Sequence, residues 1–158
     1  MDKLVGHLAL NFASYIEVIV DLEKQGAKIY LKLVKKAFTP ELTKALSPIS
    51  TDCEQHLSRL KLIKLATKGI KVEEVKENIP TYDVKITKPD TAQDVKIISY
   101  ALRFQHLKLA YYEMLYPMAV NLNLTQEATL LEQTITDNRN TNTWLRQIIQ
   151  NIIAPQIA

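Results

Sequence analysis

Three observations predict an all-α fold. The 158-residue chain holds only three glycines. Leu, Ile, Ala, Lys, Gln and Glu dominate it, and apolar residues return every three or four positions over long stretches, with few alternating strand-like segments. One domain spanning residues 1–158 is expected, because 18.0 kDa suffices for a core and is short for two.

The first helix runs from a cap at Asp2 to about Phe38. Its stripe is Val5, Leu8, Phe12, Tyr15, Ile19, Gly26, Tyr30 and Leu33, and Glu23 falls on it. Thr39-Pro40-Glu41 signals the next start: a cap, a proline in the first turn and an acid favoured by the helix dipole. Ser47-Pro48 predicts a kink there, or a short helix followed by a re-capped one, and Gly69 offers a stop near Lys68.

Residues 70–90 carry mixed charge, two prolines and no sustained period. They read as a crossover with at most one helical turn at 72–77. Asp90 or Thr91 caps a third helix with Val95, Ile98, Leu102, Gln105, Leu109, Tyr112 and Tyr116 in register. Pro117 should bend its last turns before Asn121-Leu122-Asn123 ends it. Thr125 caps a fourth helix, in which Leu131, Thr134, Asn138, Thr141, Leu145, Ile148 and Ile152 share a face. Short, long and short connections around four long helices imply a ferritin-like four-helix bundle with its long crossover between helices 2 and 3.

Glu23, Gln105 and Asn138 thus lie on the apolar stripes of three different helices. Polar groups at such heights are tolerated when paired, so this layer is where any chemistry would sit. Elsewhere the motifs are sparse. There is no nucleophilic-serine motif, phosphate-binding glycine loop, Cys-x-x-Cys pair or zinc-protease signature, which removes support for hydrolase and nucleotide-dependent readings. A net charge of +3 with dispersed basic residues argues against a nucleic-acid partner. No apolar run reaches the ~20 residues of a membrane span. The apolar start reads as a mature helix rather than a signal sequence, since charges come early and the register continues to Lys36. The single Cys53 suits a buried, inert thiol in a reducing cytoplasm.

The stretches Asp21-Leu22-Glu23-Lys24-Gln25, Glu54-Gln55-His56-Leu57-Ser58-Arg59-Leu60 and Phe104-Gln105-His106 followed by Tyr112 resemble the ferritin-like bacterial proteins typified by YciE and YciF. Ala119-Val120-Asn121-Leu122-Asn123-Leu124 before Leu130-Leu131 is similar to that family's loop into its last helix. The resemblance covers roughly residues 4–68 and 92–152. It implies a four-helix bundle, often a homodimer, with a di-metal carboxylate site and a loosely defined part in stress responses.

The ligand positions depart from that pattern. Glu23 matches the first-helix carboxylate. Thr51 stands where the resemblance expects a glutamate and Glu54 where it expects the paired histidine. Gln105 and Lys108 occupy places where carboxylates are usual, with His106 kept beside them, and Thr136-Asp137-Asn138-Arg139 replaces a glutamate-rich run. A di-iron or di-manganese centre needs about four carboxylates and often two histidines. The expectation is therefore no cofactor and a polar core at the former metal layer: Glu23, Glu54, Gln105, Lys108 and Asn138. In it Lys108, with Arg139, pairs with Glu23 or Glu54 in place of metal charge.

Among the remaining polar and aromatic residues, His7, His56 and His106 are expected at the surface or in ordinary hydrogen bonds. Tyr100, Tyr111, Tyr112 and Tyr116 read as core with hydroxyls at the surface, Trp144 as core or a dimer contact, and 137–142 as a solvated face. The function that follows is structural or interactive in a cytoplasmic homodimer or larger assembly. The enzymatic alternative is an oxidase or peroxide-detoxifying protein using iron or manganese at Glu23 and Glu54. A third possibility is a binding module whose apolar groove opens near Pro117.

Overall fold

A computed structural model describes the backbone of residues 2–158 and the side chains of residues 6–158. Four long helices make up the fold, and no strand occurs among the described residues: α1 (Asp2–Lys36), α2 (Pro40–Ala66), α3 (Asp94–Asn121) and α4 (Thr125–Ile148). A five-residue π segment, Ile149–Ile153, and a last short helix α5, Ala154–Ile157, continue α4. Helix α1 packs on α2 and α3 on α4, and the two hairpins meet with α1 on α3 and α2 on α4. This is the predicted four-helix bundle with its crossover between α2 and α3.

The stripes assemble one core. Phe12, Ile16, Ile19, Leu22, Tyr30 and Leu33 from α1 meet Leu42, Leu46, Ile49, Leu60 and Ile63 from α2. Helix α3 adds Ile97, Phe104 and Leu115, and α4 adds Leu131, Leu145 and Ile148. Neighbouring helices come close at Gly26, where an added Cβ would lie 3.0 Å from the Cys53 sulfur on α2 and 3.0 Å from Phe104 Cε1 on α3. Val95, expected on the α3 stripe, is exposed instead, and Ile97 and Ile98 take the inward positions.

Several helix ends differ from expectation. The Asp2 cap and Val5 fall outside the described side chains. Helix α2 is continuous through Pro48, whose ring lies on the exposed face, so the chain neither breaks nor re-caps there. Thr39 gives no side-chain cap. The buried Asp94 carboxylate holds that corner, accepting the Phe38 N–H at 2.9 Å and the Thr39 N–H at 2.7 Å. Asp90 does act at the start of α3, its Oδ1 accepting the Gln93 N–H at 2.7 Å ahead of the first full turn. Thr125 is the first residue of α4 rather than its cap, which is Leu124. Two left-handed residues finish the helices as the sequence suggests. Gly69 has φ 90° after α2, and Asn123 has φ 59° after α3.

Residues 70–90 contain no helical turn, including at 72–77, and run over the bundle without regular secondary structure. Their anchors are side chains. Val84 is buried, and Val75, Ile79, Tyr82 and Ile86 pack against the core. Ser14 Oγ accepts the Glu73 N–H at 3.0 Å, and the Lys36 ammonium donates to the Val84 carbonyl at 2.8 Å. Tyr82 meets Tyr100 edge to face at 5.3 Å between centroids. No described helix is long and apolar enough to cross a membrane.

Candidate functional site: a closed polar layer

Glu23 sits midway along α1 on a stripe that is otherwise apolar, so the bundle carries its carboxylate into the core, fully buried. Three donors from two other helices meet it. The Lys108 ammonium on α3 donates to Oε1 at 2.7 Å. On Oε2 the Tyr112 hydroxyl donates at 2.5 Å, and His56 Nδ1 from α2 lies at 2.8 Å. Lys108 is also fully buried. Its charge survives there because Glu23 is its partner, the arrangement a buried ammonium requires.

The His56 ring extends this centre toward the surface. Its Nε2 lies 3.2 Å from Asp137 Oδ2 on α4, and the same oxygen accepts from Arg59 Nη1 at 2.7 Å. Both ring nitrogens therefore face carboxylate oxygens. A neutral imidazole can donate to only one of them, whereas an imidazolium donates to both. Arg59 Nη1 also donates to the Thr134 hydroxyl at 3.2 Å.

A neutral amide chain completes the layer. The Tyr30 hydroxyl donates to Gln105 Oε1 at 2.8 Å, Gln105 Nε2 donates to Asn138 Oδ1 at 3.0 Å, and Asn138 Nδ2 donates to the Thr134 carbonyl at 2.9 Å. One turn further along α4, the buried Asn142 amide has no hydrogen-bond partner for either its oxygen or its nitrogen.

The charges shape the ionisation of these groups. Burial by itself would raise the Glu23 carboxyl. The Lys108 ammonium, followed by the His56 hydrogen bond, outweighs burial and holds it at about 2. For Lys108, burial opposes the charged form and the Glu23 carboxylate more than offsets it, so the ammonium titrates above its ordinary value. Burial pushes the Cys53 thiol up to about 12, even though Lys108 Nζ is 3.6 Å from its sulfur. A thiol so placed stays protonated and unreactive. Tyr112 is raised well above 10 by burial and then by the neighbouring Glu23 charge.

Of the residues singled out in the sequence, Glu23, Lys108, Gln105 and Asn138 come together in this layer. Glu54 does not. It is exposed, because the inward stripe of α2 runs through Cys53, His56 and Leu60, and residue 54 lies about 100° round the helix from Cys53. Arg139 is also outside, paired with Glu113 at 3.3 Å on the surface. Trp144 is 44% exposed and lines a cleft of about 310 Å³ between α2 and α4, with Pro48, Asp52, Arg59 and Asp137. Within the run 137–142, Asn138 and Asn142 turn inward while Arg139 and Asn140 face out, so only part of it is a solvated face. His7 and His106 are exposed, whereas His56 and the Tyr30 and Tyr112 hydroxyls are interior members that sequence reasoning missed. The three-and-four spacing of Ile49, Cys53, His56, Leu60 and Ile63 carried the signal for His56.

The profile of the domain of unknown function DUF892 matches residues 8–158. The chain belongs to the DUF892 family. Among solved structures, it is similar to the Escherichia coli stress protein YciF at 19% identity and a TM-score of 0.70, over 95% of this chain and 94% of that one. A Xanthomonas campestris pv. campestris protein matches at 16% identity and a TM-score of 0.74, over 95% and 96%. YcfI of Rhodopseudomonas palustris, for which a structural role has been suggested, matches at 22% and 0.71, over 85% and 90%. Identities this low establish a common fold. No curated protein matches the chain.

A di-metal centre of the kind the ferritin-like fold can carry does not fit the residues of this DUF892 chain. The Glu23 oxygen that would face a cation faces the Lys108 ammonium. Among the described residues, no three His, Cys, Asp or Glu side chains converge closely enough to hold an ion. Gln105 and Asn138 supply amides where anionic donors would be needed, and their oxygens already accept from Tyr30 and Gln105.

Proposed function

We propose that this DUF892 chain is a structural or interaction protein of the bacterial stress response, working as a cytoplasmic homodimer or larger assembly rather than as a catalyst. The observation that carries this reading is closure. Glu23 and Lys108 have no exposed surface, Gln105 and His56 almost none, and the donors and acceptors around Glu23 are taken by one another. None of these four residues lines any of the five surface cavities described. A redox centre of the bundle type needs an open coordination position and a route for oxygen or peroxide to reach it. The described layer offers neither. Support for a stress-related setting comes from the fold shared with YciF, and support for a structural one from the fold shared with YcfI.

The test is turnover. The purified chain, incubated with ferrous iron or manganous ion and hydrogen peroxide, should consume no more peroxide than the metal alone. Sedimentation of the same sample should give a dimer or larger species. Repeated turnover that disappears in Glu23→Gln would establish the enzymatic alternative, and a strictly monomeric chain would refute the assembly.

A further inference from the structure

The geometry points to Lys108 as a covalently tethered cation that fills the metal position of this layer, so that exchanging it for a carboxylate opens a divalent-cation site there. Three observations carry this. First, Nζ of Lys108 is 2.7 Å from Glu23 Oε1, whereas His56 and Tyr112 hydrogen-bond to the other oxygen, Oε2. The carboxylate is thus held at one oxygen by fixed donors and presents its other oxygen to a positive charge. Second, that charge lies 3.6 Å from the Cys53 sulfur, and both side chains are wholly buried. The point occupied by Nζ therefore has a carboxylate oxygen within a short shift of the roughly 2.0–2.2 Å at which zinc is ligated, and a sulfur further off that would ligate only by releasing its proton as the ion binds. Third, a glutamate side chain ends one atom short of a lysine. At position 108 its carboxylate oxygens would reach about where Cε now lies and leave the Nζ point empty between three potential ligands.

The chemistry balances as a charge exchange. In the native layer one ammonium faces one carboxylate. With a carboxylate at 108, two carboxylates would face each other in a fully buried region, an arrangement relieved by a bound dication or, without one, by protonation of one of them or loss of the fold. The native lysine thus makes the layer independent of metal supply and closes it to metal at the same time. This inference concerns how the layer is held together and does not depend on whether the protein acts by assembly.

Zn2+ is the probe, read by equilibrium dialysis and thermal melting of the full chain. Lys108→Glu should bind one equivalent more than the unsubstituted protein and melt at higher temperature when Zn2+ is added. Adding Glu23→Gln to it should abolish both effects. The proposal is overturned if the unsubstituted chain binds an equivalent of Zn2+ that Glu23→Gln removes, or if folded Lys108→Glu takes up no additional ion. Should Lys108→Glu remain unfolded with and without Zn2+, the neutral pair decides. Lys108→Met alone should lower the folding equilibrium constant by roughly a hundredfold or more, and Lys108→Met with Glu23→Gln should recover most of that loss. A Lys108→Met protein as stable as the unsubstituted one would show that the ammonium carries no charge-balancing role.

Discussion

The orientation of a single amide decides how the neutral half of the layer is wired. Gln105 accepts from Tyr30 through Oε1 and donates to Asn138 through Nε2, and the Asn138 nitrogen is already committed to the Thr134 carbonyl. Asn138 Oδ1 therefore has to receive a donor. A glutamate at 105 is nearly the same shape but, ionised, has only acceptors, so one of its oxygens would face Asn138 Oδ1. Gln105→Glu should destabilise the protein by about 1–3 kcal/mol at neutral pH, the cost of leaving a buried group unsatisfied. Tyr30→Phe, which leaves the neutral Oε1 buried without its donor, should cost less, about 1–2 kcal/mol, because a charged group is the more expensive one to leave unsatisfied. Urea unfolding of the two variants checks the order. A Gln105→Glu protein as stable as the parent would mean that the chain tolerates a carboxylate here and that the amide is incidental.

Between helices, Gly26 is a tight point, packed against Cys53 of α2 and Phe104 of α3. Its φ is ordinary for a helix, so the glycine is there for closeness rather than for backbone freedom. A β-branched side chain would press on both neighbours, and the sulfur it displaces is the one beside Lys108. Gly26→Val should lower stability by about 1–3 kcal/mol through overpacking, despite the better helix propensity of valine. Thermal melting measures it, and unchanged or raised stability would mean the hairpin has slack at this height. The element scale also shows how far the sequence could be read. The helices and the crossover were legible because their stripes repeat at three and four, and Glu23, Gln105 and Asn138 stood out as polar members of such stripes. Glu54 has the chemistry of a ligand but the wrong angle, about 100° round α2 from the inward Cys53. His56, three residues from Cys53 on the inward face, carried the better spacing. The role of Asp94 was not legible, since a carboxylate reaching 55 residues back to the turn before α2 follows from how the hairpins dock and leaves no local pattern. How 70–90 is anchored was not legible for the same reason. Its anchors on Ser14, Lys36 and Tyr100 are tertiary.

At the scale of the whole molecule, the buried Glu23 carboxylate ties three of the four helices to a common height through Lys108, Tyr112 and His56, so its ionisation should register in global stability. Glu23 is held at about 2 against an ordinary 4.5, a depressed value. Its contribution is complete above the ordinary carboxylate range and is lost as pH falls from about 4.5 toward 2. That is worth on the order of 3 kcal/mol, since each pKa unit is about 1.4 kcal/mol. Lys108 is shifted the other way, above its ordinary 10.5, so its contribution is complete below that value and is lost as pH rises through the folded-state titration. The two shifts report one interaction seen from its two partners and are counted once. Unfolding free energy measured against pH should therefore show a plateau between these limits, an acid limb beginning near pH 4.5 and an alkaline limb beginning above about 10.5. Other carboxylates also steepen an acid limb, so the diagnostic is a comparison. In Glu23→Gln with Lys108→Met the contribution of this pair disappears from both limbs, and the acid slope should fall by the share of one proton while the rest of the curve keeps its shape. An acid limb of equal slope in the two proteins would mean that Glu23 is not held ionised by Lys108, and the common height of the helices would be set by apolar packing and the neutral amide chain.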